Sequence, residues 1–187
     1  MSNYQMLNSN GASGIPTLKA VVRKAGFPHW HGILISYIEG SDLWSAVMAN
    51  ENMCQWDAQD LLNITYRIIS VAASLEQCNF YHEDLKCSNI IRRSDGESFF
   101  IDLAGGLTEG IYRPERQSTI YETGPDAHDA LFTLGRTIWE LWAADSPFKG
   151  VCLARVPNET ARNIIKDCEE GNLENIVCLS QKYLCTP

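Results

Sequence analysis

At 187 residues, with 45% hydrophobic and 20% charged side chains, the chain has the composition of one globular domain, neither disordered nor fibrous. A formal net charge of −8 argues against a nucleic-acid partner, which needs clustered Lys and Arg to neutralise phosphates. No run approaches the ~18 apolar residues of a membrane span, and seven scattered cysteines without a C-x-x-C pair read as reduced thiols, as in the cytoplasm.

Residues 1–14 are polar and rich in Ser, Asn and Gly, and read as a flexible leader to a single domain over 15–187. Leu18 to Phe27 and Gly32 to Ile38 are short apolar runs separated by Pro28. They predict two adjacent strands, the second buried because it is β-branched and aromatic. Ser41 or Asp42 caps a short helix through Leu43, Trp44 and Val47, and Asp57 and Asp60 open a longer one. In that longer helix Leu61, Ile64, Ile68, Ala72 and Leu75 recur every three or four positions, the period of a core helix.

Asn89 to Arg93 and Glu97 to Ile101 flank Ser94-Asp95-Gly96, whose Asp and Gly supply the turn of a hairpin. From Asp129, Leu131, Leu134, Ile138 and Leu141 with Phe132, Trp139 and Trp142 predict a second buried helix. Further helices are expected over Asn158 to Cys168 and Leu173 to Tyr183. The fold class is therefore α+β, mainly α.

Between the first core helix and the hairpin stands Tyr81-His82-Glu83-Asp84-Leu85-Lys86-Cys87-Ser88-Asn89, and after the hairpin Ile101-Asp102-Leu103-Ala104-Gly105. The first resembles the H-R-D-L-K-x-x-N catalytic loop of the protein kinase superfamily, with Glu83 in place of Arg. The second resembles its D-F-G metal-binding turn, with Leu and Ala substituted. Asp84 to Asn89 is five positions (89 − 84) and Asn89 to Asp102 thirteen (102 − 89), and both match the family spacing.

The resemblance implies roles for these residues, because phosphoryl transfer is mostly positioning and charge neutralisation. Asp84 would accept the proton of the attacking hydroxyl and Lys86 would neutralise the travelling phosphoryl group. Asn89 and Asp102 would offer oxygen ligands to magnesium, while His82 packs under the metal-binding turn. The stretch Leu34 to Leu43 resembles the strand, hinge and following helix, with the backbone of Ser36, Tyr37 and Ile38 as the adenine contact. Leu134 to Trp142 with Ser146-Pro147-Phe148-Lys149-Gly150 resembles the central helix and its following loop, and Arg113-Pro114-Glu115 the A-P-E signature.

Departures are equally specific. Some thirty-five residues precede the hinge-like stretch, without a G-x-G-x-x-G loop or a phosphate-anchoring Lys strand; Lys19 and Lys24 read as solvated strand edge. The resemblance thus implies a kinase-like C-lobe with a two-stranded remnant of the N-lobe, with Mg and ATP as cofactors only insofar as a site without its phosphate lid can hold them. Two functions follow. One is an enzyme using Asp84, Lys86, Asn89 and Asp102, for phosphoryl transfer or for acid–base chemistry on a small-molecule or protein substrate. The other is a pseudokinase that binds a partner protein or a second copy through apolar surface left uncovered.

Overall fold

The computed structural model describes residues 3–23, 25–26, 31–53, 56–82, 84–103, 107–108, 127–145 and 151–185. Glu83, Ala104, Gly105, Arg113-Pro114-Glu115 and Ser146 to Gly150, on which part of the kinase resemblance rests, lie outside the described residues. The fold is α+β and mainly helical, with three small antiparallel sheets.

Six helices are described: α1 (Asn3–Ser9), α2 (Leu43–Met53), α3 (Ala58–Gln77), α4 (Ala127–Ala143), α5 (Glu159–Glu169) and α6 (Ile176–Leu184). Strands β1 (Leu18–Arg23) and β2 (His31–Ile35) form one hairpin. Strands β3 (Ser41–Asp42), β5 (Ile90–Arg92) and β6 (Ser98–Phe100) form a second sheet with β5 central. Strand β4 (Phe80–Tyr81) pairs with β7 (Leu107–Thr108).

The ends of these elements follow local chemistry. Asp42 Oδ1 accepts from the Ser45 N–H at 2.9 Å and starts α2. A reciprocal capping box starts α3, with Asp57 Oδ1 accepting from Asp60 N at 2.8 Å and Asp60 Oδ2 from Asp57 N at 3.2 Å. Asn158 caps α5 through Ala161 N at 3.0 Å. Helix α6 begins three residues after Leu173, where it was expected, because Asn175 accepts from Cys178 N at 2.8 Å and so becomes the cap. In the β5–β6 hairpin the predicted turn closes with Gly96 at φ 88°, a left-handed conformation that glycine adopts without cost.

The core lies where α3 crosses α4 and the second sheet, with Ile64, Ile68, Leu131, Leu134, Ile138 and Phe100 all buried. Gly135 lets α5 approach α4 closely, since a Cβ there would stand 2.6 Å from the Cys168 Cβ. The six described cysteines are free thiols. Among the described residues no helix is long and apolar enough to cross a membrane.

Two expectations are corrected. Residues 3–9 are not a flexible leader: α1 places Tyr4 and Leu7 in the core at 4% and 0% exposure. The return segment then joins the outer edge of β6, where the Phe100 N–H donates to the Gly14 carbonyl at 2.8 Å. A short polar helix becomes stable here because two apolar side chains, one turn apart, find a core to enter. The Gly32 to Ile38 run does contain a strand, but it is not buried. Val22 at 48% and Leu34 at 57% stand exposed on the β1–β2 hairpin, because a two-stranded ribbon cannot cover its own faces, and only its base, at Leu18 and Ile35, packs against the core.

The buried contact between α3 and α4 is polar as well as apolar: Trp142 Nε1 donates to Thr65 Oγ1 at 2.9 Å, and that hydroxyl donates to Leu61 O at 2.8 Å. Thr65→Val keeps the shape but leaves the indole N–H without an acceptor. Urea unfolding should register a loss of about 1–3 kcal/mol; an unchanged midpoint would mean the contact adds nothing.

Candidate functional site

The segment after β4 has no strand or helix to satisfy its backbone until the single 3-10 turn at Cys87–Asn89, so side chains from elsewhere supply partners. His82 is buried, with Nε2 2.9 Å from the Ile101 carbonyl and Nδ1 accepting the Asp84 N–H at 3.2 Å. Nδ1 as acceptor requires the proton on Nε2, which then donates to Ile101. The imidazole is neutral, since burial pushes its pKa below the ordinary value and outweighs the opposing Ile101 carbonyl and the charges of Asp84 and Asp102. Its ring meets Phe100 edge-on with centroids 6.0 Å apart.

Helix α4 bolts the next residues down. Glu140 Oε2 accepts the Cys87 N–H at 2.7 Å, and Thr137 Oγ1 lies 2.9 Å from both the Leu85 and the Thr133 carbonyls, which share its one proton. Cys87 itself is fully buried, and burial pushes its thiol well above the ordinary range, so it is inert packing.

This scaffold brings Asp84, Lys86 and Asn89 together. Lys86 Nζ donates to Asp84 Oδ2 at 2.7 Å. Asn89 Nδ2 donates to the Asp84 carbonyl at 2.7 Å and to Asp84 Oδ2 at 3.2 Å. With both contacts made by its nitrogen, Asn89 keeps its Oδ1 as an acceptor. The Asp84–Lys86 pair is half-exposed, so it contributes at most about 1 kcal/mol to stability.

Asp102 arrives from the other arm of the hairpin. Ile101 N donates to the Asn89 carbonyl at 2.9 Å, one step beyond the Ile90–Phe100 pair, and Asp102 follows at once. The charges of Asp84, Lys86 and Asp102 all act on the same His82 imidazole. Asp102 has φ 58°, an uncommon conformation for a side-chain-bearing residue that persists only when its surroundings impose it.

Asn3 and Tyr4 of α1 supply part of that imposition. Asn3 Nδ2 donates to the Leu103 carbonyl at 2.6 Å. Burial raises the Tyr4 phenol above its usual range, with the nearby backbone of Leu103 acting against this and the Asp102 charge adding to it. Neither residue was expected here. The available signal was the Tyr4-x-x-Leu7 spacing inside a polar segment.

Asn89 and Asp102 fit magnesium in donor type, being hard oxygen groups, and Mg²⁺ commonly takes only one or two protein ligands beside water and phosphate. Among the described residues no three His, Cys, Asp or Glu side chains form a metal cluster. Ser36, Tyr37 and Ile38 lie in the irregular link between β2 and β3. The Ser36 N–H is already spent on the Thr17 carbonyl at 2.8 Å, and Tyr37 is 87% exposed.

An open basin of about 470 Å³ lies elsewhere, between the N-terminal half of α3 and the β5–β6 turn, with Asp60, Arg67 and Arg92 in its walls. Neither it nor a cavity of about 10 Å³ behind His82 is lined by Asp84, Lys86, Asn89, Asp102 or the 36–38 link. Asp84, Lys86 and Asp102 are exposed, while Asn89 is buried beneath them at 8% exposure. No protein-family model and no curated protein matches the chain.

His82 makes stability pH-dependent with a definite sign. Its native pKa is lowered, so as the pH falls below the ordinary value of 6.5 the unfolded chain takes up a proton that the native site refuses. Urea unfolding between about pH 7.5 and about pH 5.5 should show stability falling with pH. His82→Gln should flatten the component below pH 6.5; an identical slope in the variant would remove His82 as its source.

Proposed function

We propose that this chain is a kinase-like large lobe that transfers a phosphoryl group to a small-molecule or protein hydroxyl at Asp84, Lys86, Asn89 and Asp102. The observation that carries the reading is the pair of hydrogen bonds from Asn89 Nδ2 to the Asp84 carbonyl and carboxylate, which holds that carboxylate beside the Lys86 ammonium. The sequence spacing of the catalytic-loop and metal-turn motifs supports it further.

In this reading the Asp84 carboxylate takes the proton of the attacking hydroxyl as its oxygen bonds to phosphorus and the bond to the nucleotide's leaving oxygen breaks. Lys86, paired with Asp84 in the free protein, turns its charge to the transferring group. Asn89 and Asp102 would hold magnesium, which supplies neutralisation of phosphate charge when bound. His82 keeps the loop and the Asp102 turn in register and exchanges no proton with substrate. The residues before the hinge-like link contribute α1 and the β1–β2 hairpin; adenine would be met by the backbone of Tyr37 and Ile38, with no Gly-rich loop in the sequence to cover the phosphates, so nucleotide affinity is modest. Free thiols at all six described cysteines accord with a cytoplasmic setting.

A second reading has its own observation. Val21, Val22, Ile33, Leu34 and Tyr37 are exposed on one hairpin and its exit, more apolar surface than a solvated ribbon needs. In a pseudokinase this face would dock a partner protein or a second copy, and the Asp84, Lys86, Asn89 and Asp102 group would be a relic.

Thermal unfolding with Mg-ATP separates the two. Ligand at one hundred times its dissociation constant stabilises the native state by about 2.7 kcal/mol, and Asp102→Asn should abolish that gain. Asp84→Asn should leave the gain intact while lowering transfer to a hydroxyl acceptor by about 10²–10⁴-fold. A wild-type protein that Mg-ATP does not stabilise favours the binding module.

A further inference from the structure

We propose that Asn3 and Tyr4 are positioning residues for Asp102, and that α1 is a clasp without which the Asp102–Leu103 turn does not hold its metal-presenting conformation. The inference rests on the reading of Asp102 as a magnesium ligand and extends it to an element that no kinase-like motif contains.

The geometry is a hold on the residue that follows Asp102. Asn3 Nδ2 donates to the Leu103 carbonyl at 2.6 Å, and the buried hydroxyl of the adjacent residue Tyr4 lies near the Asp102–Leu103 backbone. Tyr4 is 4% exposed, so its hydroxyl has little water to turn to. Leu103 is fully buried, which fixes the turn from its other end.

Asp102 at φ 58° needs such a grip. The left-handed region is a minority conformation for a side-chain-bearing residue, even for Asp, which visits it more often than most, so an ungripped turn would swing to a right-handed or extended backbone and carry the carboxylate with it. The dependence runs both ways. A helix of seven residues is too short to persist in water by itself; α1 forms because Tyr4 and Leu7 are buried and Asn3 is bonded, and the turn holds because α1 is there. Ser13 and Gly14 tie down the far end of the clasp, through Ser13 N to Ser74 Oγ at 2.9 Å and Gly14 O to Phe100 N at 2.8 Å. A Cβ at Gly14 would meet Val71 Cγ2 at 2.2 Å, so that path back to the core is open only to glycine.

The test is the double variant Asn3→Ala, Tyr4→Phe in the full chain. It is read by hydrogen exchange at the Leu103 amide and by calorimetric titration with magnesium chloride. Thr65→Val serves as the control, losing global stability without touching the clasp. Expected are a Leu103 exchange rate raised at least about tenfold, beyond that of the control, and a magnesium affinity lowered by about 10–100-fold.

Unchanged Leu103 protection overturns the proposal, as does faster exchange with undiminished magnesium affinity. If the wild-type titration is flat while Leu103 exchange still rises in the variant, the clasp on the turn stands and the magnesium reading fails. Should the double variant not fold, Tyr4→Phe alone is read in the same way, since it removes only one oxygen.

Discussion

The carboxylate of Glu140 meets the backbone N–H of Cys87 at 2.7 Å, and the exposed chemistry of the molecule depends on that contact. The loop from His82 to Asn89 has little secondary structure of its own, so each backbone group needs a partner or is left unsatisfied. Helix α4 supplies two, Glu140 for Cys87 and Thr137 for Leu85. A hydrogen bond to a charged acceptor is worth about 1.5–3 kcal/mol, more than the exposed Asp84–Lys86 pair can contribute. Rigidity thus comes from beneath, and the groups on the surface are left free for chemistry.

The same division governs the other arm. His82 is neutral and buried, with one ring nitrogen serving Asp84 N and the other Ile101 O. A single imidazole therefore sets the distance between the loop and the start of the Asp102 turn. Charging it would replace the hydrogen bond accepted from Asp84 N by a repelled contact, and burial outweighs the Ile101 carbonyl, which alone would favour the charged form. Asp102 in its left-handed conformation is the one strained member, and the contacts that hold it come from α1, some hundred residues earlier in the chain.

Elements governed by neighbours in sequence were legible. The Asp57 and Asp60 cap, the Asp95-Gly96 turn and the three-four spacing of Ile64, Ile68 and Ala72 are local rules, and each element lies within a few residues of where those rules put it. What depends on distant partners was not. A β-branched run indicates a strand but not whether anything covers it, so Ile33 and Leu34 read as buried and are exposed. Tyr4 and Leu7 are too sparse in a polar segment to signal a helix until the core they enter is known. In the candidate site, Asp84, Lys86 and Asn89 were found by their spacing, and the structure joins them by hydrogen bonds. Glu140, Thr137, Asn3 and Tyr4 were missed as supports because no short motif encodes a contact across fifty or a hundred positions.

The central claim is that the Asp84 loop and the Asp102 turn form one site. Its most direct test is the pattern of line broadening when manganese(II) is titrated into ¹⁵N-labelled protein. The account predicts that the Asn89 side-chain amide and the backbone amides of Asp84 and Asp102 broaden together at the same manganese concentration. Broadening at Asp102 without Asn89, or centred on the basin beside Arg67 and Arg92, would contradict it.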